Sequence, residues 1–171
     1  MFFVALTGLL NLSQAQDNSQ FTSPSASAAC KFADAKTIAV NYSSPRMHGR
    51  KIYGGLVPYG EIWRVGANEA TAFVTNANLT VGGKDVPAGS YTLFSVPGPS
   101  NWMLVISKKK GEWGIPYPGS GGDLTRIGMK VETLPSAIEN FTIGFDQTGM
   151  ACTMRFDWEK TRASIQIVEK K

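Results

Sequence analysis

Residues 81–98 read VGGKDVPAGSYTLFSVPG. Within them Tyr91 to Val96 alternates aromatic and aliphatic residues with small polar ones, and Gly82-Gly83, Pro87-Ala88-Gly89 and Pro97-Gly98-Pro99 punctuate the run. A period of two places every second side chain on one face, the pattern of a half-buried strand. Glycine opens turn conformations closed to other residues, and proline removes the donor a ladder needs, so these clusters end strands.

The same rhythm extends outward in both directions. Upstream, Ala26 to Phe32 reads as a first strand, Ala33 to Lys36 as a turn, and Thr37 to Tyr42 as its return, with Ile38, Val40 and Tyr42 on one face. Ser43-Ser44-Pro45 closes that hairpin. Ala70 to Thr75 and Leu79 to Val81 are further short strands. Downstream, Trp102 to Ser107 is strongly apolar and stops at Lys108-Lys109-Lys110-Gly111, which reads as a solvated hairpin tip. Ile127, Met129 and Val131 alternate with Gly128, Lys130 and Glu132. Ser136 to Glu139 has the spacing of a capping box and is expected to form a single helical turn. Phe141 to Asp146, Ala151 to Trp158 and Ala163 to Val168 then close the chain as a meander. Nine or ten short strands with little helix predict an all-β fold, an antiparallel, jelly-roll-like β-sandwich.

Composition agrees. Of 171 residues, 43% are apolar and 18% charged, with 18 glycines and 9 prolines, which is a folded rather than a disordered balance. The net charge of +4 permits attraction to anionic surfaces without demanding nucleic acid. Phe2 to Leu10 (FFVALTGLL) is too short to span a bilayer, and Ser13-Gln14-Ala15 offers small residues before Gln16. Residues 1–15 are therefore expected to be a signal peptide, although its positive n-region is missing. The competing reading is a buried N-terminal strand or helix. Residues 16–25 read as a polar linker and 26–171 as a single sandwich domain, periplasmic or secreted. No other segment is apolar enough to cross a membrane.

Two cysteines and one histidine are too few for a four-ligand zinc site, and no cofactor is implied. Cys30 alternates with Ala28 and Phe32, and Cys152 with Met150, Met154 and Phe156, so both point inward. Two readings stay open for them: a bridge closing almost the whole domain, or two separate buried thiols.

The stretch that breaks the strand rhythm is Gly49 to Thr71, GRKIYGGLVPYGEIWRVGANEAT. A β connection needs only a few turn residues, and this one is far longer. Arg64, Asn68 and Glu69 supply a planar cation, an amide and an anion, which together can bind a polyhydroxylated ligand. Tyr59 and Trp63 add stacking faces, and Arg50 adds a second cation. The competing reading is structural: Arg64 pairs with Glu61 or Glu69, and Asn68 caps a turn. Arg46, His48, Arg50 and Lys51 form a basic cluster that could accept a carboxylate or phosphate but reads first as a solvated face. A second irregular loop, Trp113 to Gly122, carries Trp113 and Tyr117, which either line a cleft or seal one end of the sandwich.

Taken together, SSPRMHGRKIYGG, LVPYGEIWRVGANEAT, VGGKDVPAGSYTLFSVPG and FDWEKTRASIQI resemble the DUF2911 family of exported bacterial proteins without an assigned function. The resemblance spans roughly Ser23 to Val168. It implies a single secreted β-rich domain and no particular reaction. Nucleophilic catalysis has no nucleophile elbow, and one histidine would have to serve any triad. Carboxylate pairs, Glu61 with Glu69 or Asp123 with Asp157, would be needed for a hydrolase. The expected function is thus non-catalytic binding of a glycan or other polar small molecule of the cell envelope. The alternatives are an envelope protein–protein interaction module and a carboxylate-dependent hydrolase.

Overall fold

Period-two burial runs along most strands of the structure, a computed structural model that describes residues 23–114 and 116–171. The expected signal peptide and most of the linker lie outside the described residues. Nine strands follow in order: β1 (Ser25–Lys31), β2 (Thr37–Ser43), β3 (Thr71–Thr75), β4 (Leu79–Val81), β5 (Lys84–Val86), β6 (Gly89–Val96), β7 (Trp102–Ser107), β8 (Asp123–Thr148) and β9 (Ala151–Glu169). Ser25, the last residue of the expected linker, already pairs with Ser43. The described residues contain one short 3-10 turn, Ser120–Gly122, and the expected all-β architecture is present.

All ladders are antiparallel, in the order β1-β2-β3-β6-β7-β8-β9-β4-β5. β8 joins the two halves of this sheet. Its first part, through Met129, pairs with β7, and from Lys130 onward it pairs with β9. The sheet curls at this strand until β1 and β2 meet the far part of β8. The Ile143 amide donates to the Tyr42 hydroxyl at 3.1 Å, and Gln147 Nε2 donates to the Lys31 carbonyl at 2.8 Å. The result is sandwich-like. Ile38, Val40, Phe73, Leu93, Leu104 and Ile106 from one half face a common core with Phe141, Ile143, Met154, Phe156, Trp158 and Ile167 from the other. Each such side chain stabilises the fold by about 1.5–3 kcal/mol through burial.

Two expectations are corrected. The chain does not close as three short strands, because β8 and β9 run 26 and 19 residues. Nor does Ser136 to Glu139 form a helical turn. Those residues lie within β8, where the register shifts between Thr133 and Ile138 and again between Ile138 and Thr142. Such bulges leave residues without ladder partners, so Pro135 sits there without losing a paired donor. Opposite Ile138, Glu159 takes a left-handed backbone, φ +54°.

Of the two open readings for the cysteines, the bridge is present. Cys30 on β1 and Cys152 on β9 are disulfide-bonded, with their Cα atoms 6.3 Å apart.

Candidate functional site

The segment between β2 and β3 is held to the sandwich by backbone bonds at several points. Residues 51–57 close on themselves: the Val57 amide donates to the Ile52 carbonyl and the Gly54 amide to the Val57 carbonyl, both at 2.9 Å. Trp63 then exchanges bonds with Ser95 of β6, at 2.7 Å and 2.8 Å. Finally the Thr71 hydroxyl donates to the Val65 carbonyl at 2.6 Å and shuts the turn that returns the chain to β3. An irregular segment must satisfy its backbone groups in this way, since it has no ladder of its own.

Aromatic packing fixes the segment more deeply. Trp63 stacks on Trp158 of β9 with centroids 6.1 Å apart and planes 18° off parallel, and it meets Phe141 edge-on at 5.0 Å. Tyr53 packs edge-on against Trp102 at 4.7 Å. Trp102 and Trp158 are core residues, as expected. The Tyr53 hydroxyl is buried without a hydrogen-bond partner among the described residues. Burial first, then the charges of Glu159 and Asp157, push its pKa well above the ordinary tyrosine value, so it stays neutral.

Over this aromatic base lies an open cleft of about 380 Å³. Half-buried Trp63 contributes ring surface to it with Trp158 buried behind, Leu56 and Pro58 contribute apolar wall, and Arg50, Glu61 and Arg64 stand around it. Leu56 is half-exposed there.

The six expected binding residues do not all meet in that cleft. Arg50, Trp63 and Arg64 line it. Tyr59 is exposed beside the turn, with its ring lying over Gly54, and does not line the cleft. Asn68 takes the turn role: it has φ +56°, and its Nδ2 donates to the Ser43 hydroxyl at 3.3 Å and the Ser23 carbonyl at 3.4 Å. Glu69 faces a different hollow, a shallow groove of about 430 Å³ over β1, β2 and β3, shared with Ser27, Asn41 and Ala72. That groove is of similar size, but apart from the buried Tyr42 and the acid Glu69 small side chains line it, and no cation does. The cleft at Trp63 offers a half-buried indole together with charges of both signs, which is why it is the better candidate.

The carboxylate pairs considered from sequence are also placed. Glu61 lines the cleft and Glu69 the groove, so they do not share a hollow. Asp123 is held by Arg126 at 2.8 Å and by the Tyr117 hydroxyl. Asp157 is held by Arg155 at 2.6 Å and Arg162 at 2.7 Å. Glu61, which the sequence offers as a partner of Arg64 or as an acid or base, lines the cleft instead, and its closeness to Trp63 in the same loop is the signal that it belongs there.

Arg64 is where the two irregular loops meet. Its Nη1 donates to the Asn68 carbonyl at 2.9 Å and the Trp113 carbonyl at 3.5 Å. Its stem packs on Gly114, where an added Cβ would stand 2.7 Å from Arg64 Cβ. Partial burial lowers its pKa, yet an arginine remains cationic at neutral pH. Among the described residues it forms no ion pair, so the expected internal pairing with Glu61 or Glu69 is absent. Arg50 donates from Nε to the Met47 carbonyl at 3.0 Å and from Nη2 to the Arg46 carbonyl at 2.7 Å. In the second loop, Tyr117 packs edge-on against Phe94 at 5.0 Å, whereas Trp113 is 58% exposed.

Among the described residues, no helix is long and apolar enough to cross a membrane, and no three His, Cys, Asp or Glu side chains group as a metal site would require. The sequence profile of DUF2911, a protein family of unknown function, matches residues 23–167. No curated protein and no solved structure matches the chain.

Proposed function

The chain belongs to the DUF2911 family, proteins of unknown function, and from its cleft we propose that it is an exported binding domain for a glycan or other polar small molecule of the cell envelope. One observation carries this reading: the half-buried Trp63 ring, backed by the buried Trp158, shares a single open hollow of about 380 Å³ with Arg50, Glu61 and Arg64. A sugar presents an apolar C–H face and a rim of hydroxyls. Rings pack against the first, and directed donors and acceptors bind the second. Loops on a rigid β scaffold are where binding usually resides. The buried Cys30–Cys152 bridge supports an oxidising compartment such as the periplasm or the exterior.

The test is a screen of the folded domain against bacterial envelope oligosaccharides, followed by titration of any hit by NMR. Binding should perturb the Trp63 indole and the Glu61 and Arg64 amides. Glu61 is exposed and forms no ion pair among the described residues. Glu61→Ala should therefore leave the unfolding midpoint in place while weakening the hit about ten-fold, the worth of a hydrogen bond to a charged group. A hit whose affinity ignores Glu61→Ala and whose shifts map elsewhere would remove the cleft from consideration.

A further inference from the structure

We propose that the ligand of this cleft carries an acid group, a carboxylate or a phosphate on a sugar, and that Arg64 is the residue that pairs with it. The proposal rests on the binding role just given and narrows its chemistry.

The arginines of this protein divide by place. Arg126 pairs with Asp123 at 2.8 Å, Arg155 with Asp146 at 3.0 Å and Asp157 at 2.6 Å, and Arg162 with Asp157 at 2.7 Å. Around the cleft the pattern is different. Arg46, Arg50 and Arg64 bond only to neutral oxygens, the Ser44 hydroxyl and backbone carbonyls, and none has a carboxylate within ion-pair distance among the described residues. The fold thus pairs its guanidinium groups elsewhere and leaves Arg50 and Arg64, which line the cleft, without a bonded carboxylate among the described residues; Glu61 is the acid that shares the hollow with them.

Arg64 is the one built for recognition. A partly buried cation has lost some hydration, and its two carbonyl bonds tie the loops together without neutralising its charge. Its geometry is nonetheless fixed, by the clamp of Gly114 on its stem and by two carbonyls on Nη1. The next residue, Val65, is fully buried at φ +56°. A β-branched residue there is a true outlier, and such strain is held in place where function needs a fixed geometry. A guanidinium oriented in advance binds an oxyanion with two parallel donors and little loss of freedom. Glu61 stands in the same cleft and repels further negative charge. The site therefore selects one acid group together with hydroxyl donors that Glu61 can accept.

Three probes in calorimetric titration decide the matter: a neutral oligosaccharide such as chitotriose, a uronic-acid oligosaccharide, and a sugar monophosphate. At least one acid probe should bind about ten-fold or more tighter than the neutral one, the range of a charge-assisted hydrogen bond, and which acid does so identifies carboxylate or phosphate. That advantage should shrink as salt rises. Arg64→Gln should erase it, while Arg64→Lys retains part of it. Should Arg64→Gln fail to fold, the salt dependence and Arg64→Lys still report on the charge. Equal affinity for neutral and acid probes, or an acid preference that survives Arg64→Gln, overturns the proposal and leaves the binding role intact. If none of the probes binds and the envelope screen also yields nothing, the binding role itself falls, and this inference with it.

Discussion

Gly66 shows how tightly one residue can hold the long segment to the sandwich. Its φ is +147°, and a Cβ built there would stand 2.8 Å from the carbonyl oxygen of Ser43. That oxygen belongs to the backbone of β2 and cannot swing aside as the end of a side chain could. Gly66→Ala should therefore destabilise the domain by about 2–4 kcal/mol, combining backbone strain with a steric overlap. Urea unfolding monitored by tryptophan fluorescence checks this, and a loss below about 0.5 kcal/mol would mean that the turn lifts from β2 without consequence. The block that contains Gly66 stood out in the sequence by its residue types, and Asn68 as a turn-former was legible because a short polar side chain tolerates the left-handed region. Val65 in that region was not legible, since no local rule places valine there. Nor could the sequence separate Arg64 from Glu69. The two lie on different hollows because the chain passes over β2 between them, which is a fact of tertiary path.

Elements show the same division. β2, β3, β6 and β7 were readable because each is a short run rich in β-branched, aromatic or aliphatic residues, and β2, β6 and β7 stop at a nearby proline or lysine. β8 was not, because its alternation lapses between Thr133 and Thr142, where bulges slip the register. A broken period reads as two strands and a turn, whereas the pairing with β9 carries one strand through the lapse. The long β9 also bears the charged cluster that its short reading would have split. Asp157 is 4% exposed and accepts from Arg155 at 2.6 Å and from both Nε and Nη2 of Arg162, at 2.7 Å and 2.8 Å. Arg162 lies beyond the left-handed Glu159, so the bulge is what brings it back over Asp157. Removing one partner of a buried pair leaves the other charges uncompensated. The arginine side chains are 24% and 32% exposed, and water offsets part of that loss. Asp157→Ala should thus cost about 2 kcal/mol, less than the 3–5 kcal/mol of a fully buried pair. Denaturant unfolding gives the figure. Replacing Asp157 and Arg162 together by apolar residues should recover part of it, and a double variant no better than the sum of the singles would show that the two do not act as a pair.

At the scale of the whole molecule, the question is what keeps a single curled sheet closed. β1 is one edge of the order, while β9 lies beyond β8 in the other half. Only the curl brings them together, so strand order alone could not have chosen between a bridge and two separate thiols. The hydrophobic face supplies most of the closure, and Tyr42 and Gln147 add hydrogen bonds across it. The Cys30–Cys152 bond spans 122 residues. A loop of that length, closed in the unfolded chain, lowers its entropy enough to stabilise the fold by about 4–5 kcal/mol on the chain-entropy model. For a domain of this size each kcal/mol moves the thermal midpoint by roughly 2–4 °C. Cys30→Ser with Cys152→Ser should therefore lower Tm by about 10–20 °C and still fold, because the apolar face and the cross-sheet hydrogen bonds remain. Reducing the parent protein with dithiothreitol should reproduce the shift and leave the double variant unmoved. A drop of only a few degrees in both experiments would assign closure to the buried face alone, with the bridge following the curl and adding little to it.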